Sequence, residues 1–133
     1  MSQRVAIGDV LAIPLPNGGF AYCRIHKDAS IGVYDHVSEI AHNLPPDECR
    51  YNFVVPVYRD LLTSGAWPKV GHKPFANEED AWPPPYIVRD AISGKVSIYH
   101  RGSMRPALST DSIDMEEAAI WDQYDVVARI ASG

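Results

Sequence analysis

The stretch GDVLAIPLPNGGFAYCRI, residues 8–25, constrains the fold more than any other part of the chain. It reads as two strands, about Asp9 to Leu15 and Phe20 to Lys27, joined at Asn17-Gly18-Gly19, residues that tolerate the positive φ of a hairpin turn. Side chains alternate across a strand, so Leu11, Ile13 and Leu15 face one way and Val10, Ala12 and Pro14 the other. On the second strand Phe20 and Tyr22 oppose Ala21, Cys23 and Ile25. A surface hairpin shows one wet face; this one shows none. The chain itself holds enough aromatic material to supply the cover. The expectation is an α+β fold: a strongly curved, mainly antiparallel β-sheet or partial barrel with one or two short C-terminal helices. One face then lines the interior, and the C-terminal helix or a Trp-Pro loop covers the other.

A chain of 133 residues, 46% hydrophobic and 22% charged, suits a single domain over 1–133 with one core. ASIGVYDHV suggests a third strand through Ile31, Val33 and Tyr34, and YNFVVPVYRD a fourth, with Pro56 marking an edge or a bulge. RDLLTSG reads as one helical turn ended by Gly65. From Trp67 to Pro85 the chain reads as an irregular crossing loop, because Trp67 and Trp82 each precede proline and PPP is stiff. PYIVRDAISGKVSIYHRG is a second hairpin turning at Ser93-Gly94. Asp122 with Asp125 caps a final helix that buries Val126, Val127 and Ile130; an earlier turn of helix is predicted near Asp114, with Glu117 three residues on.

The net charge is −5, and its placement carries the information. Residues 1–109 hold eleven acids and eleven bases, so they sum to zero. Asp111, Asp114, Glu116, Glu117, Asp122 and Asp125 face Arg129 alone. This acidic end repels nucleic acid and attracts a basic protein, although a solvated helix surface accounts for it as well.

Catalytic and metal-binding patterns are weak. Cys23 and His26 fall on opposite faces of a strand, and no second close pair of ligands follows them. No serine sits in a nucleophile elbow, and Glu78, Glu79 and Asp80 read as a solvated loop. His100, Arg101 and Arg105 could hold an anion or pair with the acidic end. No catalytic residue, metal or cofactor is assigned. Two cysteines, no secretion signal and no apolar run of membrane-spanning length point to a reduced cytoplasmic location.

GDVLAIPLPNGGFAYCRI, Tyr34-Asp35, SGAWPKVG from Ser64, YHRGSMRPA from Tyr99 and EEAAIWDQYDVVARI, in this order, resemble the immunity protein 26 family of bacterial polymorphic toxin systems. The resemblance implies a cytoplasmic, non-enzymatic antidote that binds a cognate toxin encoded beside it. A basic toxin, a nuclease among the candidates, fits the acidic end. The contacts expected are Asp111, Asp114, Glu116 and Glu117, with Trp82, Tyr86 and Arg101 as anchors. A second reading is a ligand-binding or enzymatic β-barrel with a pocket lined by Tyr22, Tyr34, His36 and His100. A third closes a homodimer over the hairpin's second apolar face, so the chain is expected as a monomer or homodimer.

Overall fold

The computed structural model describes residues 2–41, 44–46, 49–108 and 115–132. The elements run β1 Asp9–Pro14, β2 Phe20–Ile25, β3 Ser30–Ser38, β4 Tyr51–Pro56, α1 Arg59–Thr63, β5 Lys69–His72, a 3-10 turn Glu79–Ala81, β6 Tyr86–Arg89, β7 Val96–His100, β8 Ser103–Pro106 and α2 Gln123–Ser132. β1 to β5 form a sheet in the order β4-β3-β2-β1-β5, and β6 to β8 form a second sheet in chain order. Neighbouring strands are antiparallel throughout. The architecture is α+β with a curved, open sheet and no closed barrel among the described residues. Register shifts at Val10/Leu11, between Ala21 and Cys23, and at Val33/Tyr34 mark the bulges that raise local twist.

Both faces of the central hairpin are buried. Leu11 pairs with Cys23 and Ile13 with Ala21, and these four join Ile31, Val33, Phe53, Val55 and Trp67 in the main core. α1 adds Leu61 and Leu62, and α2 adds Val126, with Trp121, Val127 and Ile130 packed at its rim. On the opposite face, Val10, Ala12, Tyr22 and Tyr34 form a smaller cluster against Phe20, Ala41, Cys49, Tyr51 and Val70.

The Trp-Pro loop supplies part of the cover of that second face, as expected from the sequence, through Lys73–Phe75, and segments beside β3 and β4 supply the rest. The helix covers the first face, and the second is closed by residues 38–41, 44–46 and 49–51 together with Lys73–Phe75. The Tyr22 hydroxyl bonds Ser38 Oγ and donates to the Ile40 carbonyl at 2.9 Å. Arg24 donates from Nε to the Lys73 carbonyl and from Nη2 to the Pro74 carbonyl, each at 2.8 Å, and its guanidinium lies 3.6 Å from the Phe75 ring centre. Lys73 Nζ donates to the Pro45 carbonyl at 2.8 Å. His26 is buried against Tyr51 and Phe75, with ring centres at 5.2 and 4.9 Å.

Polar residues tie the edges. Asp9 is buried; its Oδ2 accepts from the Ala6 amide and its Oδ1 pairs with His72 Nδ1 of β5, both at 2.8 Å. β5 itself corrects the reading of 67–85 as wholly irregular. KVGH has little strand propensity, but β1 offers it a free edge, and the Ala12 amide donates to the Pro68 carbonyl just before it. Pro56 ends an edge strand, as its missing N–H requires. α2 opens on a reciprocal box: Asp122 Oδ1 accepts from the Asp125 amide at 2.9 Å and Asp125 Oδ2 from the Asp122 amide at 3.1 Å.

The earlier helical turn expected near Asp114 does not extend over Glu117. Asp114 lies outside the described residues, and Glu117 bridges Ile87 in parallel fashion. Residues 116–121 form an extended strap. The Ile87 amide donates to the Glu116 carbonyl, the Ala118 amide to the Ile87 carbonyl, and the Trp121 amide to the Pro56 carbonyl. The strap thereby joins the two sheets. Among the described residues, one C-terminal helix is present.

Two outcomes follow from the packing of the second face. A Cβ on Gly32 would sit 2.5 Å from the Tyr51 ring and 2.8 Å from the His26 ring. Gly32→Ala should therefore destabilise the protein by about 1–3 kcal/mol in urea titration. Burial pushes the His26 pKa down from 6.5 to about 4. The unfolded chain then binds a proton over that interval that the folded chain refuses, so stability is full above pH 6.5 and falls as the pH drops toward 4, by up to about 3 kcal/mol. Urea titrations across this range should show a steeper pH slope for the native chain than for His26→Gln; equal slopes would refute the assignment.

Candidate functional site

β2 and β3 are joined by a turn whose central residues, Asp28 and Ala29, have φ of 63° and 50°. Residues 27–29 make the turn between the facing His26 and Ser30, and Asp is one of the few side chains that tolerate a left-handed φ. Backbone bonds hold the turn from both sides: His26 amide to Ser30 carbonyl, Lys27 amide to Ala81 carbonyl, and Val57 amide to Ala29 carbonyl. The Lys27 bond fastens the 3-10 turn, and with it Trp82, beside the hairpin tip.

Around this tip the second sheet contributes its tyrosines. Tyr86 and Tyr99 are register partners on β6 and β7 and so share a face. The Tyr86 hydroxyl and the Ser30 hydroxyl, both buried, lie 2.8 Å apart. The Tyr99 hydroxyl donates to Asp28 Oδ2 at 2.6 Å. Between the sheets runs a cleft of about 350 Å³, walled by Pro56, Tyr86, Val88, Tyr99 and Ile120, with Asp28 as its acidic lining residue. Ile120 of the strap is 54% exposed there, although it is a large apolar side chain.

Beside the cleft, Trp82 is half-buried and flanked by two cations. Lys27 Nζ lies 4.9 Å and the Arg101 guanidinium 5.7 Å from its ring centre. Lys27 also bonds Glu78 at 2.6 Å, and Arg101 approaches Glu79 at 3.9 Å. Arg101 occupies the β7–β8 turn at φ 54°, followed by Gly102 at 82°. Burial pushes the Tyr86 phenol up to about 12, and the neighbouring charges of Asp28 and Glu116 push in the same direction. The hydrogen bond to Asp28 holds the Tyr99 phenol above its ordinary value, and the bond from Lys27 holds Glu78 below its own. Both phenols stay protonated near neutral pH.

The residues singled out from sequence separate into three groups. Trp82 and Arg101 come together at one surface. Tyr86 reaches it only as the floor of the cleft, since its ring is 2% exposed. Glu116 and Glu117 flank Ile87 of β6; Glu116 is held by Arg129 through two bonds of 2.8 and 2.6 Å, and Glu117 is exposed, 3.8 Å from Arg89. Asp111 and Asp114 lie outside the described residues. Lys27, Asp28 and Tyr99 escaped the sequence reading. The signal was the Asp after Lys27, which marks the hairpin turn.

The pocket set Tyr22, Tyr34, His36 and His100 does not converge. Tyr22 and Tyr34 pack in the same cluster and His36 lies 5.6 Å from the Tyr22 ring, but His100 is on β7 of the second sheet, so the four do not line one pocket. Among the described residues no group of three or more His, Cys, Asp or Glu side chains is arranged to hold a metal, and no helix is long and apolar enough to cross a membrane.

A small α+β domain with an aromatic, charge-flanked surface and a shallow adjoining cleft has the features of a protein-recognition module. Residues 6–98 match the sequence model for immunity protein 26. That span is more than half of the chain, and the chain belongs to the immunity protein 26 family. No curated protein and no solved structure matches it.

The Ser30–Tyr86 pair should be testable by stability alone. Ser30→Ala leaves a buried phenol without its partner and should cost about 1–3 kcal/mol in urea titration. Adding Tyr86→Phe should cost little more, because both ends of the bond are then gone. A fully additive double variant would show that the two hydroxyls do not interact.

Proposed function

We propose that the protein is an immunity protein that binds and neutralises a cognate bacterial toxin in the cytoplasm, by covering its active site or substrate cleft. Membership of the immunity protein 26 family over residues 6–98 is the observation that carries this reading. The proposed contact surface centres on Trp82 and Arg101, with Tyr86 shaping the ground beneath them. Trp and Arg are the residue types most often found as energetic anchors of interfaces. Glu117 adds an exposed carboxylate at the strap. Asp111 and Asp114 add to the negative charge of the C-terminal segment, and Glu116, paired with Arg129, holds the strap. That charge favours a basic toxin, and a nuclease, whose substrate cleft is basic, is the class it fits best.

The experiment is to purify the protein with the product of the adjoining reading frame. The two should co-elute, and the toxin's activity should fall as the protein is added in stoichiometric amount. Trp82→Ala and Arg101→Ala should each weaken the complex about 10- to 30-fold while leaving the thermal midpoint nearly unchanged. Neighbouring frames without a toxin-like domain, or a toxin left fully active by the purified protein, would remove the proposal.

A further inference from the structure

The cleft between the sheets has a chemistry distinct from the Trp82 surface beside it. Its walls are apolar: Pro56, Val88 and Ile120, with the rings of Tyr86 and Tyr99. One side is acidic. Asp28 is exposed, and only one of its carboxylate oxygens is engaged, Oδ2 by Tyr99. Oδ1 accepts no hydrogen bond among the described residues. The neighbouring cation is already committed, since Lys27 Nζ is held by Glu78 at 2.6 Å. An apolar trough lined on one side by an available carboxylate is complementary to one kind of side chain: a long aliphatic stem carrying a cation. A guanidinium suits it best, because it also stacks on aromatic faces and binds carboxylates in a planar fork.

We propose that this cleft receives a single arginine side chain projecting from the toxin, its stem against Tyr99 and Ile120 and its guanidinium on Asp28. The proposal rests on the reading of the protein as a toxin-binding antidote. It moves the decisive negative charge from the C-terminal segment to the β2–β3 turn. It also assigns Tyr99 a positioning role, because its hydrogen bond fixes the carboxylate and leaves the second oxygen turned to the guest.

The groove is tested first without the toxin, by NMR titration of the full chain with N-acetyl-arginine amide and with N-acetyl-norleucine amide, its uncharged counterpart. The arginine amide should shift the amides of Ala29, Val88 and Ala118 saturably at millimolar concentration, and the norleucine amide should bind at least about fivefold more weakly. Asp28→Asn should lose the same factor; asparagine tolerates the left-handed φ at this position, so the turn is retained. Ala118→Met, which fills the cleft and leaves the carboxylate in place, should also abolish the shifts. Equal binding of the two amides, or no saturable shift, overturns the proposal. With the toxin from the adjoining frame, Asp28→Asn should weaken the complex at least about tenfold. A toxin that binds this variant as tightly as the native chain overturns the arginine inference alone. A toxin that ignores the native chain overturns the functional reading, while the amide titration still decides the chemistry of the cleft.

Discussion

The burial of β1 and β2 on both faces is the constraint from which the rest of the structure follows. In a sheet with one wet face, a slip of one residue turns every apolar side chain into water, so the hydrophobic pattern itself fixes the register. Here Leu11 and Ile13 would exchange places with Val10 and Ala12, and all four are fully buried. Apolar patterning therefore discriminates weakly between the two registers. Polar groups supply the difference. Asp9 must reach the Ala6 amide and His72, Tyr22 must reach Ser38 and Ile40, and Arg24 must reach the carbonyls of Lys73 and Pro74. A slipped strand would bury these groups without partners, at about 1–3 kcal/mol each. A few buried hydrogen bonds thus specify what a larger apolar area stabilises.

Charge is handled in a similar way. The acidic excess belongs to the C-terminal segment by sequence, yet part of it is used inside the fold. Arg129, whose guanidinium also lies 4.2 Å from the Phe53 ring centre, takes Glu116 in a two-pronged pair that anchors the strap to α2. Asp122 and Asp125 cap the helix they precede or begin. The exposed carboxylates are accordingly fewer than the composition suggests, and Asp28, from the electrically neutral stretch 1–109, is one of them.

The sequence made the first half legible because its signals were local. Alternating apolar residues, Asn17-Gly18-Gly19 and Pro56 dictate strands, a turn and an edge without reference to distant parts. The aspartate pair ahead of Val126 announced α2 for the same reason. What stayed hidden was set by distant partners. Lys69–His72 is a strand because β1 has a free edge, and residues 116–121 are extended because Ile87 and Pro56 offer them hydrogen bonds. Trp82 and Arg101 were legible as residue types that favour interfaces, but their adjacency to Lys27 and Asp28 depends on the Lys27–Ala81 bond across the fold. Tyr86 and Tyr99 looked alike in the second hairpin. Only the docking of that hairpin on Ser30 buried one ring and left the other at the rim.

The β2–β3 turn links these two themes. Ala29 at φ 50° is strained, because its Cβ crowds the backbone in a conformation glycine would adopt freely. The strain, of order 1 kcal/mol, persists because the turn is over-determined by bonds donated by the amides of His26, Lys27 and Val57. Those bonds reach β3, the segment after β4 and the 3-10 turn, so the hairpin tip is held from three sides. A carboxylate on such a tip is aimed before any partner arrives. Less side-chain freedom is then lost on binding, which is how a shallow cleft on a small domain can contribute to a tight complex.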